Sequence, residues 1–212
     1  MSVIISIIAI FIAYLSGSIP VGYIVARLYG VDVTASGSGR IGGTNVLRSA
    51  GVTAAGLTVL GDVMKGLIPI YLYQVALDPL IVALAMPAAV LGHNFSIFLR
   101  FRGGVGAGTA IGTVSAVSAI SGLLSAIFAL IAMGVSRYAS ILSTTVAVSG
   151  VILLTISAWL GYTPYEYILG AVINLIIMFN ALRPNFARIR AGTERRIGEK
   201  TENIAKISST DE

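Results

Sequence analysis

The strongest constraint on this chain is a succession of apolar runs long enough to cross a lipid bilayer. A helix needs about 20 apolar residues to span a hydrocarbon core of roughly 30 Å. Val3 to Leu28 is the first such run, interrupted in its second half by Gly17, Ser18 and Pro20. Further runs follow at Thr53 to Ala76, Leu80 to Phe98, Ala107 to Met133, Ala139 to Leu160 and Tyr165 to Ala181. Only 11% of the 212 residues are charged, against roughly 25% in a soluble domain, which is too few to cover a water-facing surface. A soluble domain, a disordered chain, a nucleic-acid-binding protein and a disulfide scaffold are thereby excluded. The chain has no cysteine, so thiol catalysis and cysteine zinc sites are excluded as well. Its single histidine, His93, leaves no multi-histidine metal site. The reading is an all-α polytopic membrane protein without a metal.

Charge placement sets the expected topology. No basic residue precedes the first run and no small-residue cleavage site follows it, so it reads as a span and not as a signal peptide. The run from Ala107 to Met133 is either one overlong helix or two short ones turning near Ser118 to Gly122. Lys and Arg gather on the cytoplasmic side of membrane proteins. With two crossings there are seven spans, and the loops holding Arg40, Arg48, Arg100, Arg102 and Arg137 all fall inside. So does a tail with Arg183, Arg188, Arg190, Arg195, Arg196, Lys200 and Lys206, while the outer connections carry Asp78 and Glu166. One crossing would split the basic set. The expectation is seven transmembrane helices in the cytoplasmic membrane, N-terminus outside and C-terminus inside. Residues 1–182 form the membrane domain, and 183–212 a cytoplasmic basic juxtamembrane segment with a disordered end.

Glycines are unevenly spread. Gly37 to Gly61 holds seven of the 24 and Gly103 to Gly112 holds five. In the first cluster, Ser36-Gly-Ser-Gly-Arg-Ile-Gly-Gly-Thr-Asn-Val-Leu-Arg48, glycines allow backbone amides to converge on an anion. Ser38, Thr44 and Asn45 add hydrogen bonds, and Arg40 and Arg48 match phosphate oxygens in a bidentate way. A helix starting near Thr44 would direct its first amides to the same anion. The second cluster, Arg100-Phe-Arg-Gly-Gly-Val-Gly-Ala-Gly-Thr109, runs directly into an apolar helix, so Arg102, Gly103, Gly104, Gly106 and Thr109 suit an anion at the bilayer surface. A flexible loop and a packing face are the plainer readings of the two clusters.

Asp62 and Lys65 stand three apart on one helix face. Such charges cost about 2.5–3.5 kcal/mol each at mid-span, so they pair or line a polar pocket. His93 lies late in the third run and reads as a supporting hydrogen-bonding residue. Two glycine-rich, arginine-bearing loops on one face of a membrane bundle favour phosphorylated ligands at the cytoplasmic surface. A transporter gains little support, because no inverted repeat is visible.

These residues resemble a known family from about Leu15 to Gly198. Gly17-Ser-Ile-Pro-Val-Gly22, Gly37 to Arg48, Leu60-Gly-Asp-Val-Met-Lys-Gly-Leu-Ile-Pro69, Gly92 to Gly104, Arg137-Tyr-Ala-Ser140, Asn185 and Gly192-Thr-Glu194 are similar to segments of PlsY, the bacterial membrane acyl-phosphate:glycerol-3-phosphate acyltransferases. The resemblance implies seven helices and transfer of an acyl group from acyl phosphate to the 1-hydroxyl of glycerol 3-phosphate. It implies no cofactor, a monomer among membrane lipids, and a site on the cytoplasmic face. By position, Ser38 and Arg48 would bind the acceptor phosphate, with Arg40, Thr44 and Asn45 in the same loop. Gly103, Gly104 and Gly106 would line the acyl-phosphate site, and Ser140 and Asn185 would hold the acceptor. No side chain is assigned as acid or base, since a substrate phosphate oxygen can take the proton.

Three departures stand at ligand positions. Val105 replaces the family's phosphate-binding lysine, Leu182 replaces a histidine, and Arg40 replaces an asparagine. Arg40 is expected to supply the charge that Val105 lacks. A paralogue with another donor or acceptor, and a non-catalytic lipid-phosphate-binding protein, are the alternatives.

Overall fold

The computed structural model describes residues 3–198 and is helical. Pro20 has no N–H to continue a helix, and the first apolar run breaks there into α1 (Val3–Ser18) and α2 (Val21–Leu28). A loop leads to α3 (Gly43–Ala50), and Gly51 at φ 88° turns the chain into α4 (Val52–Ala76). Next come α5 (Pro79–Asn94), a single 3₁₀ turn at Ile97–Leu99, and α6 (Ala107–Val117). The ambiguous long run is two helices. Ser118, extended at φ −155°, ends α6 and caps α7 (Ala119–Ser136), its hydroxyl oxygen accepting from Ser121 N at 3.4 Å. Two residues then reverse the chain into α8 (Ala139–Trp159), with Arg137 in the left-handed region at φ 61°. The last helix, α9 (Glu166–Arg190), continues past residue 182 and through Pro184, so the first part of the basic juxtamembrane stretch prolongs it. The disordered end expected beyond residue 198 lies outside the described residues.

Five of these stretches are long and apolar enough to cross a membrane: Val3–Leu28, Val52–Ala76, Ala119–Ser136, Ala139–Trp159 and Glu166–Arg190. Two further apolar helices, α5 and α6, are shorter. Eleven residues in α6 give a length of about 16 Å, half a bilayer core. Large apolar side chains on α1, α4 and α7 face outward, as they do toward lipid.

Small residues let the helices approach closely, since lipid supplies no hydrophobic drive for their association. A side chain at Gly17 of α1 would strike the Ala89 carbonyl of α5, and one at Gly92 of α5 would strike Tyr14 O of α1. Gly66 and Gly112 join α4 and α6 in the same way, against Thr109 O and Val63 O. Gly170 brings α9 onto Ala83 of α5. The central apolar cluster includes Ile70, Val82, Met86, Val114 and Leu154.

A candidate phosphate and acyl-transfer site

The first glycine-rich loop is organised by one side chain. Asn45, in the first turn of α3, is buried. Its Nδ2 donates to the carbonyls of Val33 and Ser36 at 3.0 Å and of Arg40 at 2.8 Å, and its Oδ1 accepts from Ser38 N at 3.1 Å. Asn45 therefore shapes the loop and has its amide turned inward. Gly37 and Gly39 have φ of 57° and 69°, a region that a side chain would strain. Ser38 is exposed and Thr44 half-buried. The Asn45 and Val46 amides donate to Gly42 O at 2.9 and 3.2 Å, and no side chain caps Gly42.

Arg40 leaves this loop for α9. Its guanidinium donates to Asn185 Oδ1 at 3.0 Å and to Ala181 O at 2.8 Å. Burial, and then repulsion from Arg188, make its proton less tightly held than usual, with Glu194 partly offsetting both; a guanidinium stays charged even so.

Glu194 is the hub that sequence reasoning did not assign. Its side chain is 6% exposed. Its carboxylate accepts from Asn185 Nδ2 at 2.7 Å, from Arg188 Nε at 2.7 Å and from Ser140 Oγ at 3.5 Å. The two residues expected to hold the acceptor, Ser140 at the start of α8 and Asn185 near the end of α9, thus meet at one carboxylate. Residues 193–198 form a strap across this corner. Arg48 donates to Arg195 O and Arg196 O at 3.2 and 3.3 Å, and Ile197 N donates to Arg137 O at 2.8 Å. The Arg196 guanidinium lies 5.6 Å over the Tyr138 ring, and the Arg195 guanidinium lies beside Gly37. Arg188 pairs with Glu194 and Arg40 feels both charges, while Arg48 holds the strap carbonyls and Arg195 reaches the first glycine loop, so this corner carries more positive than negative charge, which suits a phosphate dianion.

The second glycine cluster serves packing as much as ligand. A side chain at Gly103 would strike His93 O, and one at Gly104 would strike His93 Nε2. Gly106 is left-handed at φ 92° and begins α6. Asn94, also unassigned from sequence, is buried; with its amide nitrogen toward the turn, it donates to Val105 O at 3.0 Å and Val90 O at 3.1 Å. Arg102 is exposed at the edge of the turn. Thr109 is placed otherwise than expected: it is fully buried against Gly66 of α4, one helical turn below the loop. Val105 packs against a buried cluster that includes Val90 of α5, Val146 of α8 and Met178 of α9, and Leu182 is 1% exposed. Two of the three departures from the resembling family, Val105 and Leu182, are thus apolar residues of the interior. Val105 thereby seats the glycine turn on a cluster shared with α8 and α9, the helices that carry Ser140 and Asn185.

Beneath the turn lies a buried ionic cluster. Lys65 Nζ is 2.8 Å from Asp62 Oδ1, with the two side chains 3% and 5% exposed, and His93 Nδ1 is 3.5 Å from the same oxygen. Lys65 Nζ also donates to Ile19 O at 2.8 Å, at the break that Pro20 imposes. The pair expected from its i, i+3 spacing is real, and it joins α4 to α1 and α5. Among the described residues no group of three or more His, Cys, Asp and Glu could hold a metal.

A family model described as glycerol-3-phosphate acyltransferase matches residues 7–192. The chain belongs to this family. It is 38% identical over 195 residues to glycerol-3-phosphate acyltransferase 2 of Moorella thermoacetica, covering 91% of this chain and 98% of the relative. It is 40% identical over 192 residues to the glycerol-3-phosphate acyltransferase of Thermus thermophilus, covering 90% and 94%. Its fold is similar to the crystal structure of PlsY, an integral membrane glycerol 3-phosphate acyltransferase, in its glycerol 3-phosphate form, with a TM-score of 0.84, 33% identity and coverage of 91% and 96%. The lysophosphatidic acid form of that protein gives a TM-score of 0.83 with 33% identity. This family's chain is therefore an integral membrane protein with several apolar helices, as the sequence reading expected.

Proposed function

We propose that this protein transfers an acyl group from acyl phosphate to the 1-hydroxyl of glycerol 3-phosphate. The acceptor oxygen attacks the acyl carbon and a C–O ester bond forms. The bond from that carbon to the bridging phosphate oxygen breaks, and the hydroxyl proton passes to a phosphate oxygen. The products are lysophosphatidate and phosphate, in the first step of phospholipid synthesis. The observation that carries this reading is the joining of Arg40, Ser140, Asn185 and Arg188 at one corner, where Arg40 donates to Asn185 and Glu194 accepts from Ser140, Asn185 and Arg188. Ser38, Arg40 and Arg48 bind the acceptor phosphate on a loop that Asn45 and Thr44 hold open. Ser140 and Asn185, aligned by Glu194, position the glycerol. Arg102 and the amides around Gly103, Gly104 and Gly106 receive the acyl phosphate and stabilise the oxyanion and leaving phosphate. Since the donor is already activated, holding two reactants together accounts for most of the acceleration. Asp62, Lys65 and His93 support the turn from below.

The seven apolar stretches, counting Val3–Leu28 once, are read as seven crossings with the N-terminus outside and the C-terminus and site on the cytoplasmic face. Tilting or local thinning of the bilayer accommodates short α5 and α6. The protein works as a monomer in the cytoplasmic membrane, without a cofactor.

The test is turnover by purified protein given palmitoyl phosphate with glycerol 3-phosphate or with other phosphorylated alcohols. Lysophosphatidate from the first pair supports the proposal. Product only with another acceptor would assign a different acceptor, an outcome to which the apolar Val105 and Leu182 give a specific reason. No turnover with any pair would leave a lipid-phosphate-binding protein.

A further inference from the structure

The loop from Phe95 to Arg102, between α5 and α6, turns its apolar side chains away from the protein. Phe95, Ile97, Phe98 and Phe101 are 51%, 45%, 60% and 61% exposed, and Arg100 and Arg102 are exposed beside them. This exposure is built in. Ser96 is fully buried and its Oγ donates to Ser18 O at 2.5 Å. Phe101 N donates to Ser96 O at 2.8 Å, Arg102 N to Leu99 O at 3.1 Å, and Tyr14 Oη to Phe95 O at 2.7 Å. Leu99 packs into the cluster of Ile41 and Val46 beneath the first glycine loop. Arg100 and Phe101 both hold positive φ, 54° and 60°, a region that crowds the Cβ of a non-glycine residue. The fold sustains a strained turn, and the turn presents alternating aromatic and cationic side chains.

Depth in the bilayer follows from two exclusions. Lipid-exposed irregular backbone is not tolerated in the hydrocarbon. Four large apolar side chains grouped in water are equally unfavourable. The boundary between acyl chains and headgroups satisfies both: rings rest on the chains, and arginines meet lipid phosphates. We propose that Phe95–Arg102 is a membrane-interface wedge that engages anionic phospholipid of the leaflet adjoining the site. The glycine turn begins at the next residue, Gly103. A long-chain acyl phosphate lying against Phe98 and Phe101 therefore reaches the turn laterally, its phosphate passing Arg102, without leaving the leaflet. This second part rests on the acyl-transfer reading above.

The chain has one tryptophan, Trp159, so Trp159→Phe with Phe98→Trp gives a single reporter in the loop. It is placed in vesicles of phosphatidylglycerol and phosphatidylcholine whose chains carry bromine near the headgroup or at the chain end. The wedge predicts quenching by the shallow bromines at least about two-fold stronger than by the deep ones, and little by aqueous acrylamide. Strong acrylamide quenching without lipid quenching, or stronger quenching by the deep bromines, would overturn it. For the lateral route, Phe98→Ser with Phe101→Ser should raise KM for palmitoyl phosphate about ten-fold or more and leave KM for water-soluble butyryl phosphate unchanged. An equal change for both donors, or none for either, would overturn the route. If the unsubstituted protein turns over no donor, the acyl-transfer reading fails, while the quenching still decides the wedge.

Discussion

The Arg40 guanidinium donates to Asn185 Oδ1 at 3.0 Å across 145 positions of sequence. This bond and the one to Ala181 O tie the first glycine-rich loop to the last helix. Arg40 thus stands on α9 one residue from Leu182, where the resembling family carries a histidine. Removing it takes a charge and two bonds from the acceptor corner. Arg40→Ala should raise KM for glycerol 3-phosphate about ten- to hundred-fold, the range of a charge-assisted hydrogen bond. Arg40→Lys should recover only part, since an ammonium lacks the guanidinium fork. Steady-state kinetics over acceptor concentration checks this, and an unchanged KM would contradict it.

Glu194 anchors the strap by accepting from Ser140, Asn185 and Arg188. Glu194→Ala leaves Ser140, Asn185 and Arg188 without their shared acceptor and should lower unfolding free energy by about 1–3 kcal/mol. Glu194→Gln should lose less, because an amide oxygen still accepts from Asn185. Thermal unfolding in detergent measures the difference, and equal loss in both variants would show that accepting a hydrogen bond is not the side chain's role.

Breaking the Asp62–Lys65 pair from one side leaves a charge buried. Asp62→Leu and Lys65→Met should each destabilise by about 3–5 kcal/mol, and the double variant by clearly less than their sum. A double-mutant cycle by thermal unfolding tests the coupling; additive losses would mean that the two residues act independently.

Asp32 gives the loop before α3 a sign for its pH dependence. The Thr34 hydroxyl foremost, at 2.5 Å, and then the Thr34 amide and the Arg27 charge hold its carboxyl below the usual range despite an opposing effect of burial. A depressed carboxylate stabilises the fold above its unfolded value of about 3.9, and this is lost as pH falls through the folded value. Amide protection in residues 31–40, exchange relative to its intrinsic rate at each pH, should therefore be high at neutral pH and fall only in acid below about pH 4. Asp32→Asn should show the faster exchange throughout.

Much of the bundle was legible because its determinants are local. Gly17, Ser18 and Pro20 together mark the break in the first run, Ser118 is a side-chain cap inside an apolar run, and Asp62 and Lys65 are one helical turn apart. The site was legible where residue type declares chemistry, as at Arg40 and Arg48. It was not legible where a role depends on distant partners. Glu194 read only as the end of a family-like Gly-Thr-Glu stretch, with no role assigned, because Ser140 is 54 positions away. Thr109 read as a ligand because it follows the glycine turn, yet helical phase rotates it onto Gly66. Gly103 and Gly104 suit an anion, but the neighbour that excludes a side chain at both is His93, ten and eleven residues earlier in the sequence.

The central claim is acyl transfer to the 1-hydroxyl of glycerol 3-phosphate with departure of phosphate. It is tested most directly by supplying palmitoyl phosphate with glycerol 3-phosphate carrying ¹⁸O in that hydroxyl and reading both products by mass spectrometry. The account predicts lysophosphatidate that retains the label in its ester and unlabelled inorganic phosphate. Label in the released phosphate, or phosphate released with no lysophosphatidate formed, would contradict it.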